Sequence, residues 1–242
     1  VKAVRLDVTK QEDIDAAVEL IKSEGRGLWG LVNNAGVAVT GPLHMTEHPD
    51  LHFVFSVNVG GVVSVTRAFA PMIIESQGRI TTTGSIAGTL SSAGMGVYSM
   101  SKHAMEAFTD SLAADLAETG VSVSVIEPGN YKSRIRRNVV GRIAEKIEES
   151  GREVSEEEKQ AFEQTAQREL SYKEPDEVSD AFMHALFSDE PKRRYMVVPN
   201  EQEAGRTIGK HIQELVQLND WQAYSYTRDE LVQMLDQALA SD

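Results

Sequence analysis

A chain of 242 residues with 41% hydrophobic side chains can bury one sizeable core. Lys and Arg number 24 against 37 Asp and Glu, a net charge of -13, which argues against a phosphate backbone as partner. The lack of cysteine excludes disulfides, thiolate catalysis and thiolate metal sites, and no apolar run reads as long enough to span a bilayer.

Val4 to Leu6 reads as a short strand, and Thr9 with Glu12 has the spacing of a capping box. The helix it opens carries Ile14, Val18 and Ile21 on one stripe, with Gly25 and Gly27 past its end. Leu28 to Val32 is an apolar strand that runs into Asn33-Asn34-Ala35-Gly36. Gly41-Pro42 breaks the loop, a long helix covers 50–76, and Arg79 to Thr83 is a strand rich in β-branched residues. A helix over 98–118 closes at Gly120, and a strand from Val121 to Ile126 ends at Pro128-Gly129. Residues 132–172 are strongly charged and break at Gly151, as a pair of lid helices would. Pro175-Asp176-Glu177 starts a helix to Phe187, and Tyr195 to Val198 is a last strand. Two amphipathic helices then follow over 204–242, with Ile208, Ile212 and Leu215 on one and Leu231, Leu235 and Leu239 on the other.

Strands alternating with helices of this length make βα units and a mostly parallel sheet, a doubly wound α/β fold. The domain covers 1–200 and the helical extension 201–242. The helices at 50–76 and 98–118 are apolar on more than one face, so a homodimer or homotetramer is expected.

The chemistry concentrates between Ser85 and Lys102. If Tyr98 opens a helix, Lys102 lies one turn on and on the same face. A phenol, with a pKa near ~10, is a poor base at neutral pH. A neighbouring ammonium favours the phenolate and makes the group a usable proton donor and acceptor. Ser85 can hydrogen-bond a carbonyl or alcohol oxygen held between them. Asn58, set between two valines in an apolar helix, needs a polar partner.

The order Asn33-Asn34-Ala35-Gly36, Asn58, Ser85, Tyr98-x-x-x-Lys102 and Pro128-Gly129 resembles the short-chain dehydrogenase/reductase family over residues 1 to about 200. The resemblance implies a Rossmann-type fold with these motifs at the carboxyl edge of the sheet, where open α/β folds bind ligands. It implies NAD or NADP as cofactor and a small carbonyl or alcohol as substrate. Tyr98 would be general acid and base, Lys102 would lower its pKa and bind the nicotinamide ribose, and Ser85 would polarise the substrate oxygen. Asn58 would hold a water that links Lys102 to solvent. Asp7 would contact adenine, with Asn33, Ala35 and Gly36 on the adenosine side and Asn33 tying strands together. Pro128 and Gly129 would face the nicotinamide, with the Tyr131 backbone N–H and the Ser133 hydroxyl on its carboxamide.

The family's glycine-rich pyrophosphate turn has no counterpart after a strand here, since Gly94-Met95-Gly96 lies in the loop before Tyr98. The resemblance therefore implies a fragment that lacks the first two βα units. The residue that selects between the two cofactors would lie in that portion. The chain opens on Val1 without a methionine, so an upstream targeting segment would go unseen; the cytoplasm is the expected compartment. The lid and the added helices suit a bulky apolar alcohol or ketone, such as a steroid or retinoid-like molecule, with small polyols and sugars as the other option. The alternatives are a dinucleotide-sensing scaffold without chemistry, or an inert fragment of such an enzyme. His44, His48 and His52 read as a solvated loop and no metal is expected. Lys132, Arg134, Arg136 and Arg137 read as the solvated start of the lid.

Overall fold

The structure, a computed structural model, describes residues 1–241. Four parallel strands, β1 (Gly30–Asn33), β2 (Arg79–Thr83), β3 (Ser122–Pro128) and β4 (Arg194–Val197), lie side by side in chain order. The registers Asn33 to Thr82, Thr83 to Ile126 and Pro128 to Val197 bring the strands' carboxyl ends to one edge. β3 is buried from Val123 to Glu127, which is why it reads as a nearly unbroken β-favouring run rather than an alternating one.

The first helix, α1 (Gln11–Glu24), begins one residue later than a Thr9 cap would place it. Asp7 intercepts that cap: its Oδ1 accepts from the Thr9 amide at 3.0 Å and from the Thr9 hydroxyl at 2.7 Å. An Asx turn thus takes the hydroxyl the capping box required. Asp13 in the first turn of α1 reaches back instead, its Oδ2 accepting from the Asp7 amide at 2.8 Å. The helix ends at Gly25, whose φ of 65° is the left-handed stop.

Residues 4–6 do not form the expected strand. An apolar cavity of about 350 Å³ separates them from β1, with Val4, Leu6 and Val8 on one wall and Leu28, Leu31 and Val32 on the other. A ladder needs its neighbour within about 5 Å, and no described strand stands there.

α2 (His48–Phe55), a π-helical turn (Ser56–Gly61) and α3 (Val62–Glu75) make one continuous rod. The rod is 28 residues long and its most apolar 18-residue stretch has a mean hydropathy of 1.5, long and apolar enough to cross a membrane, which corrects the expectation that no such run exists. One side of it packs into the core: Val65 and Phe69 of α3 pack with Ile14 and Ala17 of α1 and with Leu31. α4 (Gly96–Asp115) covers the same face of the sheet, where Ala113 packs with Ile73, Ile80 and Val123. On the opposite face, α5 (Ile135–Glu149) and α6 (Glu156–Leu170) precede α7 (Asp176–Phe187), whose Val178, Ala181 and Ala185 pack on Ile126. The result is three layers, helices on both faces of a parallel sheet: a doubly wound α/β fold of Rossmann type.

α5 and α6 are the two helices expected in the charged segment, parted at Gly151 with φ 71°. A true capping box opens α6, where Ser155 and Glu158 exchange bonds. Asp50 at the start of α2 holds α5 by ion pairs of 3.0 Å to Arg142 and 2.6 Å to Lys146. α8 (Glu201–Asp220) and α9 (Arg228–Ser241) form the extension. α8 is tied down at Glu203, which accepts from the Asn130 amide, and at His211, 3.0 Å from the Thr89 hydroxyl. Its stripe of Ile208, Ile212 and Leu215 remains exposed.

Candidate active site

A cleft of about 400 Å³ opens at the carboxyl edge of the sheet. Its walls bring together Gly36, Ser85, Tyr98, Lys102, Pro128, Gly129, Tyr131 and Ser133, eight of the residues singled out from the sequence.

Ser85 follows β2 through Gly84, whose amide bonds the Ile126 carbonyl at 2.7 Å. There is no space at residue 84 for a side chain, because a Cβ would lie 2.7 Å from Val125 Cγ2. The Ser85 hydroxyl accepts from the Ala87 amide at 3.1 Å, opening a single 3₁₀ turn, and lies 3.4 Å from the Pro128 carbonyl. It is thereby fixed between β2 and β3. Across the same cleft it faces the Tyr98 phenol.

Tyr98 lies in the first turn of α4 and Lys102 one turn on, its Nζ 5.7 Å from the centre of the Tyr98 ring. Lys102 is 5% exposed and donates to the Thr83 carbonyl at 2.7 Å. Burial draws its ammonium down to about 8, with the Glu106 carboxylate opposing. Burial also pushes the Tyr98 phenol above its ordinary range; the Ser85 hydroxyl and the Arg136 charge offset only part. The phenol is therefore not lowered as the Tyr-x-x-x-Lys spacing led us to expect, because desolvation outweighs both. A neutral phenol is the resting state.

Asn58 is buried in the π-helical turn. Its Oδ1 accepts from the Val37 amide at 2.8 Å, and its Nδ2 donates to the Val37 carbonyl and to Ser101 Oγ, each at 2.9 Å. Both amide hydrogens are thus committed to the loop after β1 and to α4. The second lone pair of Oδ1 is left to meet a water. A point just above Gly36 lies 3.7 Å from that Oδ1 and 3.9 Å from Lys102 Nζ. Ser101, whose hydroxyl also donates to the Tyr98 carbonyl at 2.7 Å, completes this link and was not singled out from the sequence.

Three residues expected on the adenosine side, Asp7, Asn33 and Ala35, do not line this cleft. Asp7 lines neither cavity, and its carboxylate is held below its usual range by the Thr9 hydroxyl. Asn33 is buried and donates to Thr66 of α3 at 2.9 Å, so it ties strand to helix and not strand to strand. It and Ala35 border the cavity beside β1, not the cleft. The Tyr131 backbone N–H donates to the Gly129 carbonyl at 3.1 Å, and its hydroxyl donates to Glu177, so neither group is free for a carboxamide. The Ser133 hydroxyl is exposed and retains its hydrogen, accepting only a 3.4 Å bond from the Ile135 amide. Arg136, expected to be solvated, bonds Asn130 Oδ1 at 2.7 Å and stacks on Tyr172 at 5.3 Å.

The residues present fit the nicotinamide end of a dinucleotide: a buried cation, a free hydroxyl, and Gly36, which leaves no side chain beside Lys102. No described residue forms a glycine-rich turn for its pyrophosphate.

Comparison with known proteins agrees with this geometry. The short chain dehydrogenase family profile matches residues 1–168, and the chain belongs to that family. Retinol dehydrogenase 7 of Rattus norvegicus is 36% identical over 209 residues, covering 80% of this chain and 64% of that protein. The mitochondrial D-beta-hydroxybutyrate dehydrogenase of Bos taurus is 40% identical over 134 residues, covering 54% of this chain and 39% of that protein. A short chain dehydrogenase/reductase from Burkholderia phymatum, solved in complex with NAD, superposes with a TM-score of 0.73 at 27% identity, covering 93% of this chain and 80% of that one. The chain thus spans less than two thirds of the length of these two curated relatives.

Proposed function

We propose that this chain carries the proton-transfer half of an NAD(P)-dependent oxidoreductase that interconverts an alcohol and a ketone or aldehyde. The observation that carries the reading is one cleft at the carboxyl edge of the sheet that gathers Ser85, Tyr98 and Lys102, with Lys102 Nζ 5.7 Å from the centre of the Tyr98 ring. When bound, the nicotinamide supplies or accepts the hydride. In reduction, Ser85 holds the substrate oxygen and the neutral Tyr98 phenol gives it a proton. The charges of Lys102 and Arg136 favour the phenolate left behind. Lys102, at about 8, is then matched to return a proton near neutral pH. Water above Gly36, between Lys102 Nζ and Asn58 Oδ1, would reload it.

The apolar wall formed by Ile135, Val178 and Phe182 supports a bulky apolar substrate, as does the similarity to a retinol dehydrogenase. α5 and α6 would close over it and exclude water. The test is spectrophotometric: oxidation of NADH and NADPH against retinoid, steroid and short keto-acid carbonyls. Turnover with the apolar class is expected; turnover with none of them, despite cofactor binding, would replace this reading with that of a dinucleotide-sensing scaffold.

A further inference from the structure

One buried charged cluster takes no part in this chemistry. Glu106 lies one turn along α4 from Lys102, on the same face. Glu127 lies near the end of β3, immediately before the Pro128-Gly129 wall of the cleft. Glu127 is buried and only 18% of the Glu106 side chain meets solvent. The buried Oε1 of each carboxyl group has no hydrogen-bond partner, and burial together with the nearby Glu106 charge pushes the Glu127 carboxyl up to about 7. Arg194 of β4 reaches both, its Nε 3.2 Å from Glu106 Oε2 and 3.7 Å from Glu127 Oε1. Its other arm is drawn off by Asp110 at 2.7 Å, which Arg193 also approaches at 3.9 Å.

Two carboxylates side by side in a desolvated site cannot both stay ionised, and one proton placed between them gives each orphan oxygen a partner. The remaining groups around the pair limit what it can act on. On α4 they are Lys102 and Asp110, and at β4 Arg193 and Arg194; Gly84 and the turn at 86–88 bring no charge. A Cβ at Gly88 would come within 2.9 Å of Glu106 Oε1, so that side chain is clamped against backbone.

We propose that Glu106 and Glu127 hold one proton between them and form a positioning pair for Lys102, their single negative charge keeping its ammonium charged against the Thr83 carbonyl. This rests on Lys102 as the cation of the cleft, but its test needs neither cofactor nor turnover. The ε-methylene signal of Lys102 is followed by NMR through a pH titration in the native chain, Glu106→Gln and Glu127→Gln. Infrared spectra record the carbonyl stretch of a protonated carboxylic acid.

The native chain is expected to show that band at neutral pH, and either substitution to remove it. Glu106→Gln moves the Lys102 midpoint to lower pH, by about half a pH unit or more. Glu127→Gln leaves Glu106 fully ionised and moves it to higher pH. A native chain without the band overturns the shared proton. A midpoint unmoved in Glu127→Gln, or moved the same way in both variants, overturns the positioning role even if Glu106→Gln fails to fold. A purely structural pair would not shift the midpoint in opposite directions.

Discussion

Lys102 gives its ammonium to the Thr83 carbonyl at 2.7 Å while burial holds that ammonium at about 8. An unfolded lysine titrates near ~10.4, so between these values the unfolded chain binds more protons. Stability therefore rises with pH across that window, and the gain is lost as pH falls through 8. Relative to Lys102→Met, the native chain should gain up to about 3 kcal/mol between pH ~8 and ~10. Urea midpoints at intervals across this range measure it; a flat difference would contradict the burial argument.

Tyr98→Phe removes the transferable proton and leaves the ring that faces Lys102. Turnover should fall about a thousandfold, within the span general acid catalysis supplies. Cofactor affinity, read by calorimetry, should hardly change.

The point above Gly36 lies between Asn58 Oδ1 at 3.7 Å and Lys102 Nζ at 3.9 Å. A methyl group there meets only ordinary contacts, so Gly36→Ala should fold normally while excluding water from the gap. Turnover should drop about tenfold with an enlarged solvent isotope effect, because proton return becomes limiting. An unchanged isotope effect would place the relay elsewhere.

Asn58→Ala strands the Val37 amide and the Val37 carbonyl, while the Ser101 hydroxyl keeps its bond to the Tyr98 carbonyl. Two part-buried backbone groups losing their partner should cost about 2 kcal/mol in urea unfolding, with faster hydrogen exchange at Val37.

Asp50 ties the start of α2 to α5 through Arg142 and Lys146. Its carboxyl stays below the usual range because the Lys146 and Arg142 bonds overcome the opposing, and larger single, effect of burial. The clamp is therefore present above the ordinary carboxylate pKa and weakens as pH falls through the lowered one. Asp50→Asn should release α5, costing about 1 kcal/mol. Cleavage by protease near Gly151 should quicken.

The reacting groups were legible because each is announced locally. Ser85 and Pro128 end strands, and Tyr98 and Lys102 share a helix face through spacing alone. The partners that set their electrostatics were not. Glu127 and Arg194 meet Glu106 from 21 and 88 positions away in the chain, and no pattern in the sequence predicts such a meeting. Asp7 hid the true start of α1 because its carboxylate competes for Thr9, a contest decided by geometry rather than composition. Residues 4–6 look like a strand and stay apart, since a strand is a property of two segments.

The π-helical turn at Ser56–Gly61 absorbs one residue more than an α-helix would. Each helical residue advances the rod by about 100°, so this insertion sets the phase of α3 relative to α2. It lets Asn58 look toward the cleft while Thr66, on the same rod, looks toward Asn33. Deleting a single residue within 56–61 would swing Thr66 and Phe69 off the sheet together. Relatives of any length that preserve both contacts are thus bound to preserve the count of residues between them.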